Sequence, residues 1–226
     1  MIETRSRTLL AIGMTLLAIL GFDSMAIIVR ILLTQGYTAP ELSAYRNTLG
    51  ILPSIIVILS MGEFKLNRES IIIRQWRLAL FRGVMVAIAQ LAFYTALASM
   101  ELATISALAQ TNALFVVIMA VVMFRDRVGP WRIGALIIGF IGVLWVLRPG
   151  TDAFTVVALL PMVAAFCYSF SIITVRLFPD EVPNALLYLY SSVASAFGAI
   201  ALALFTTGFS PIAQGLDLVL IMVMAT

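Results

Sequence analysis

Few side chains in this chain of 226 residues can do chemistry, and the ones that can stand inside long apolar runs. Asp23 lies seven residues before Arg30, about 10 Å below that end of its helix at 1.5 Å per residue. Arg46 lies four residues into the next apolar run, about 6 Å down from the same side, so the two charges are expected to be able to meet. Gln90 and Tyr94 are four apart and share a helix face, and Gln110, Thr111 and Asn112 fall near the middle of another run. Tyr168, Ser169 and Ser171, with Tyr188 and Tyr190, extend the set. Side chains of these types hold a polar solute by hydrogen bonds and charge, or else join neighbouring helices, which is worth only about 0.6 kcal/mol per bond on average. A charge at membrane depth costs about 2.5 to 3.5 kcal/mol, so Asp23 should face a cavity or a partner. Arg46 is shallow enough to reach the surface unaided.

The inventory excludes other chemistries. There is no histidine, and the one cysteine, Cys167, lies in an apolar run and reads as a small filler. No metal site and no cofactor are therefore expected. Intramembrane catalysis needs a histidine, a metal cluster or paired deep carboxylates, and only Asp23 is deep, so no catalytic residue is expected.

The elements that position these residues follow from composition. Hydrophobic residues make up 62% and charged residues 11%, with a mean hydropathy of +1.10. A soluble domain has about 25% charged residues, so this chain belongs in lipid. Runs long enough to cross the bilayer cover 8–30, 42–61, 77–98, 102–124, 131–147, 154–175 and 185–206, and an eighth begins near Leu216. The fold class is all-α and polytopic. Lys and Arg fall in the gaps between runs, a topology signal and no sign of a nucleic-acid partner. With the N-terminus inside, Arg5, Arg7, Lys65, Arg68, Arg74, Arg77, Arg125, Arg127, Arg132 and Arg176 are inside, and only Arg30 and Arg148 face out. A bacterial inner membrane and a cytoplasmic N-terminus are expected.

"MAIIVR" at 25–30 and "SIITVR" at 171–176 suggest an internal repeat. After a three-residue shift, Pro40 aligns with Pro183 and Tyr45 with Tyr188. Five helices per unit is an odd number, so the second copy enters the membrane inverted, an architecture of secondary transporters with a site near the midplane. The repeats divide the chain at 1–150 and 151–226, the second copy being partial. About 7.5 of ten helices are then present, and a complete second copy needs about 65 residues more. In the second copy Ser169 and Leu189 stand opposite Asp23 and Arg46, so both charges are absent there together. Recurring Ser191, Ser195, Ala199 and Ala203, and Ala135 with Gly139, read as close-packing stripes.

The stretch from Phe81 to Gly150 resembles EamA-type permeases of the drug/metabolite transporter (DMT) superfamily. It carries Arg82 at the opening of the third helix, "YTAL" at that helix's end, a short turn, "DRV", and a glycine-rich helix ending in "RPG". "AYRN" at 44–47 resembles the second helix of the same family. The resemblance implies ten helices in two repeats, a central cavity and movement of small metabolites such as amino acids or nucleoside-like compounds. Two departures are visible. Ala113 stands where the family usually has proline, so the resemblance does not carry a helix break over to that point, and Asp126 stands where it usually has glutamate. A small polar metabolite and the lipid bilayer are thus the expected partners, with Asp23, Arg46, Gln90, Tyr94, Gln110, Asn112 and Tyr168 as the expected binding residues. The alternative is an inactive fragment lacking its last helices, unless a homodimer supplies the missing wall.

Overall fold

A computed structural model describes residues 2–60, 73–148, 155–179, 182–206, 208–210 and 215–225. The described residues form an all-helical, polytopic membrane protein. In lipid every backbone N–H and C=O must be bonded internally, and apolar runs of this length do that only as helices. The elements are α1 (Ile2–Thr34), α2 (Ala39–Leu49), α3 (Ile51–Ser60), α4 (Trp76–Ser99), α5 (Leu102–Ala109), α6 (Thr111–Phe124), α7 (Pro130–Leu147), α8 (Leu160–Ile173), α9 (Asn184–Thr206) and α10 (Gly215–Ala225). Taken as continuous spans, seven are long and apolar enough to cross a membrane, and Gly215–Met224 is a shorter apolar helix. Of the charges used for orientation, Lys65 and Arg68 and the side chains of Arg5 and Arg7 lie outside the described residues, as does Gly150 of "RPG".

Two spans are interrupted. Pro53 has no N–H for the Leu49 carbonyl, and its ring crowds that carbonyl, so the second span breaks at Gly50 and resumes as α3. The Gly50 N–H donates to the Arg46 carbonyl at 2.8 Å and closes the upper piece. The fourth span breaks at Gln110, although no proline stands at position 113. There the Thr111 hydroxyl donates to the Leu108 carbonyl at 2.7 Å, and the Ala113 N–H reaches back only three residues, to Gln110 at 3.2 Å. A side chain competing for helix carbonyls tightens the turn. The sixth span likewise opens in a 3-10 turn (Val156–Leu159) ahead of Pro161 and closes in another (Thr174–Leu177).

The core is organised around α4, which packs against α8 and α9, while α9 also covers α2 and α6 packs on α8. Small residues permit this approach: Ala79, Ala89 and Ala96 of α4, and Ser195, Ala199 and Ala203 of α9, are fully buried. The serine and alanine stripe of α9 is thus a packing face. In contrast, Ala135 of α7 is exposed, while a Cβ added at Gly139 would lie 2.8 Å from Leu114 Cδ2. Trp131 and Trp145 leave α7 at the edge, 91% and 81% exposed, on a surface that lipid covers.

Gly83 makes the tightest crossing. A Cβ there would lie 2.5 Å from the Ala194 Cβ and 2.7 Å from the Ser191 carbonyl oxygen, so α4 and α9 would have to separate. Gly83→Leu is expected to destabilise the protein by about 2 kcal/mol or more, read as a lowered Tm in detergent. An unchanged Tm would show that the two helices do not cross there.

Each end of the bundle is tied by polar contacts. At the Tyr37 end, Glu41 is fully buried; its carboxylate accepts from the Thr38 N–H (3.3 Å), the Ser210 N–H (2.7 Å) and the Ser210 hydroxyl (3.2 Å). Tyr37 there donates to Asp217 of α10 at 3.2 Å. At the opposite end Arg176 pairs with Asp126 at 2.7 Å and lies 4.5 Å from the centre of the Phe124 ring. Both ionic partners are about half exposed, so this pair contributes under about 1 kcal/mol. The two similar hexapeptides differ in shape: Met25–Arg30 lies within α1, while Ser171–Arg176 passes from α8 into a 3-10 turn.

Candidate functional site

The polar centre begins at Gln90, fully buried in α4. Its Oε1 accepts from the Asn47 amide at 2.7 Å and from the Ser43 hydroxyl at 3.0 Å, and Asn47 also donates to Ser43 at 3.3 Å. Two donors converging on one oxygen set the orientation of the Gln90 amide, which leaves Nε2 pointing elsewhere. Among the described residues that nitrogen has no partner. One turn further along the same face, the Tyr94 hydroxyl is also buried without a partner among the described residues. Buried polar atoms are nearly always bonded, so two orphans on one face of one helix form an unusual site.

Arg46 of α2 approaches from the adjacent helix. Its guanidinium is densely surrounded by protein atoms and lies within electrostatic reach of the Tyr94, Tyr168 and Tyr188 hydroxyls, yet part of its surface stays accessible. Tyr168 of α8 has the same character. Arg46 forms no ion pair among the described residues. The break at Gly50 places this residue in the last turn of α2.

A second link crosses from α6 to α8. The Ser169 hydroxyl, fully buried next to Tyr168, contacts Asn112 Oδ1 at 2.6 Å and the carbonyls of Asn112 and Ala165 at 2.9 and 2.6 Å. Arg46, Gln90, Tyr94 and Tyr168 thus share one neighbourhood, and Asn112 is joined to it through Ser169.

Asp23 and Gln110 stand apart. Asp23 is exposed on α1 and no ion pair joins it to Arg46 among the described residues, which corrects the expectation that they meet. Part of the reason is length: α1 continues to Thr34, so Asp23 lies about 16 Å from its end, deeper than the 10 Å expected. Gln110, at the break of the fourth span, points away from the core and is exposed.

Sequence reasoning missed Ser43, Asn47, Glu41 and Asp217. Asn47 was within the quoted "AYRN", and the four-residue spacing from Ser43 to Asn47 places both on one helix face, a signal comparable to that of Gln90 and Tyr94. Glu41 and Asp217 stand at helix starts, where an acid reads as hydrated. Among the described residues no group of three His, Cys, Asp or Glu side chains could hold a metal ion. The arrangement presents mostly donors, from Gln90 Nε2, the Tyr94 hydroxyl and the Arg46 guanidinium, and therefore suits a solute rich in acceptors.

Comparison with known proteins adds a family to this geometry. The EamA-like transporter family matches residues 9–148. A riboflavin transporter of Rhizobium johnstonii is 32% identical over 130 residues, 57% of this chain and 43% of that protein. Riboflavin transporters of Brucella anthropi and Vibrio cholerae are 35% and 36% identical over 81 residues, 35% of this chain and 28% and 27% of those proteins. The matched stretch is thus less than half the length of each of these relatives. No solved structure matches the chain. The family match covers α1 to α7, including the helices that carry Arg46, Gln90, Tyr94 and Asn112, and on that ground the chain belongs to the EamA-like transporter family.

Proposed function

We propose that the chain is a secondary transporter that carries a small, acceptor-rich ring compound past Arg46, Gln90, Tyr94, Asn112 and Tyr168 by alternating access, and that riboflavin is the first solute to test. The observation that carries this reading is the pair of buried donors on α4 that have no partner among the described residues, beside a partly accessible arginine that is in no ion pair among them. A flavin supports the fit chemically: its dioxopyrimidine ring offers carbonyl acceptors to such donors, its flat face can stack on a tyrosine, and its ribityl chain carries hydroxyls. This solute lies nearer the nucleoside-like than the amino-acid-like class. The relatives' names support it, since all three are riboflavin transporters.

The proposal includes two repeats of opposite orientation, 1–150 and 151–226, in an inner membrane with the N-terminus in the cytoplasm. The interruptions at Gly50 and Gln110 support a solute path in the first of these units, because broken helices expose backbone groups at depth where a solute can use them. Asp23 is assigned to the same path, because an exposed carboxylate about 16 Å deep cannot face hydrocarbon cheaply. Gln110 is assigned to the path's edge.

The test is uptake of tritiated riboflavin by proteoliposomes holding the intact chain. Saturable uptake, competed by unlabelled riboflavin, is expected; uptake equal to that of empty liposomes sinks the reading for this solute.

A further inference from the structure

Arg82 lies six residues into α4, about 9 Å from Trp76, and is only 6% exposed. Its Nε donates to the Ser171 carbonyl at 3.0 Å, at the point where α8 gives way to its closing 3-10 turn. That contact occupies one edge of the guanidinium. Among the described residues the end edge is nearly unpartnered: Nη1 is buried with no hydrogen bond, and Nη2 has a single long contact, 3.5 Å to the Ser171 hydroxyl. The Phe178 ring lies 5.8 Å from the guanidinium carbon, which favours the cation without neutralising it. Among the described residues Arg82 is in no ion pair, and the ionisable group that acts on it is the Tyr188 phenol.

A buried guanidinium without a counter-charge is costly in any protein and more so in a membrane. Two parallel N–H groups on one planar edge match the two oxygens of a carboxylate one to one, whereas a spherical anion must share a single centre between them. We propose that Arg82 is an anion site that binds a carboxylate bidentately through Nη1 and Nη2. The Tyr188 phenol lies within reach of both guanidiniums, but Arg82 bonds to none of the groups that bond Gln90 or Asn112, and the proposal does not depend on which solute the Arg46 centre carries. Ser171 fixes the Arg82 fork through the Nε contact, and the close crossing at Gly83 holds α4 against α9 beside it.

The test uses the purified intact chain in a neutral maltoside detergent, with sodium acetate replacing sodium chloride at constant ionic strength and Tm read by tryptophan fluorescence. A saturable rise of about 3 °C is expected, because a ligand that binds only the folded state raises Tm by mass action. Arg82→Gln should abolish the rise. Arg82→Lys keeps the charge but loses the fork, should fold even where the glutamine variant does not, and should need at least about tenfold more acetate for half the effect. The proposal is overturned if wild type shows no saturable rise, if Arg82→Gln responds as wild type does, or if Arg82→Lys responds at the wild-type concentration.

Discussion

Arg46→Ala is expected to lower uptake of the proposed substrate by about ten- to a hundredfold while leaving the protein folded in the membrane. The magnitude follows from what is removed. A hydrogen bond to a charged group contributes about 1.5 to 3 kcal/mol, and each 1.4 kcal/mol is a factor of ten in binding. Folding should be spared because Arg46 forms no ion pair among the described residues and keeps an accessible surface, so truncation leaves no opposite charge stranded. Arg46→Lys should recover part of the uptake, since a charge remains but the planar fork does not. Uptake assayed at matched protein levels checks both variants. Full activity in Arg46→Ala would remove arginine from the site.

Gln90→Leu should have a large effect on both stability and transport, and the two can be separated. Leucine leaves the Asn47 amide and the Ser43 hydroxyl without their shared acceptor, and each buried unsatisfied group costs about 1 to 3 kcal/mol. The Asn47 to Ser43 contact at 3.3 Å recovers part of that, and polar groups in the unfolded membrane state also find partners. A net loss of about 2 kcal/mol is expected, measured as a fall in Tm. Replacing the whole network by apolar groups, in the triple variant Ser43→Ala, Asn47→Leu and Gln90→Leu, should restore most of the stability, because removing donors together with their acceptor is nearly neutral. Transport should stay lost in the triple variant. Recovery of transport along with stability would make the network helix glue and nothing more.

The spans were legible because their cause is local: a run of about 20 apolar residues must be helical in lipid wherever it packs. The expected ends at 77–98, 102–124 and 185–206 lie within two residues of the helices observed. The end of the first span was misplaced at Arg30 because one charge looked like a boundary, while Ile31, Leu32 and Leu33 carry the helix on for another turn. The break at Gly50 was readable from Pro53, whose effect on Leu49 is a matter of covalent structure. The break at Gln110 was not, because it depends on Thr111 choosing the Leu108 carbonyl over other partners.

The candidate site divides along the same line. Gln90 and Tyr94 could be found from spacing on one helix, as could Ser43 and Asn47 had that spacing been applied to the second span. The pairing of Asp23 with Arg46 failed because depth along a helix can be counted but rotation about its axis cannot. A helix apolar on all sides carries no stripe to fix that rotation. For the same reason nothing in the sequence showed that Glu41 would be sealed in, with Ser210 folded over it from 169 residues away.

The most direct test of the central claim is thiol accessibility at the site. In a Cys167→Ser background, single cysteines at positions 46, 168 and 138 are treated in membranes with a water-soluble maleimide, with and without the proposed substrate. Cysteines at 46 and 168 are expected to react from the aqueous side and, since each replaces a binding residue, to be protected only when the substrate is raised about ten- to a hundredfold above its half-saturating level for the unsubstituted site. The cysteine replacing Ile138, on the lipid-facing side of α7, should remain unreactive in both conditions. Unreactive positions 46 and 168, or labelling there that the substrate does not slow, would contradict a solute path past Arg46 and Tyr168.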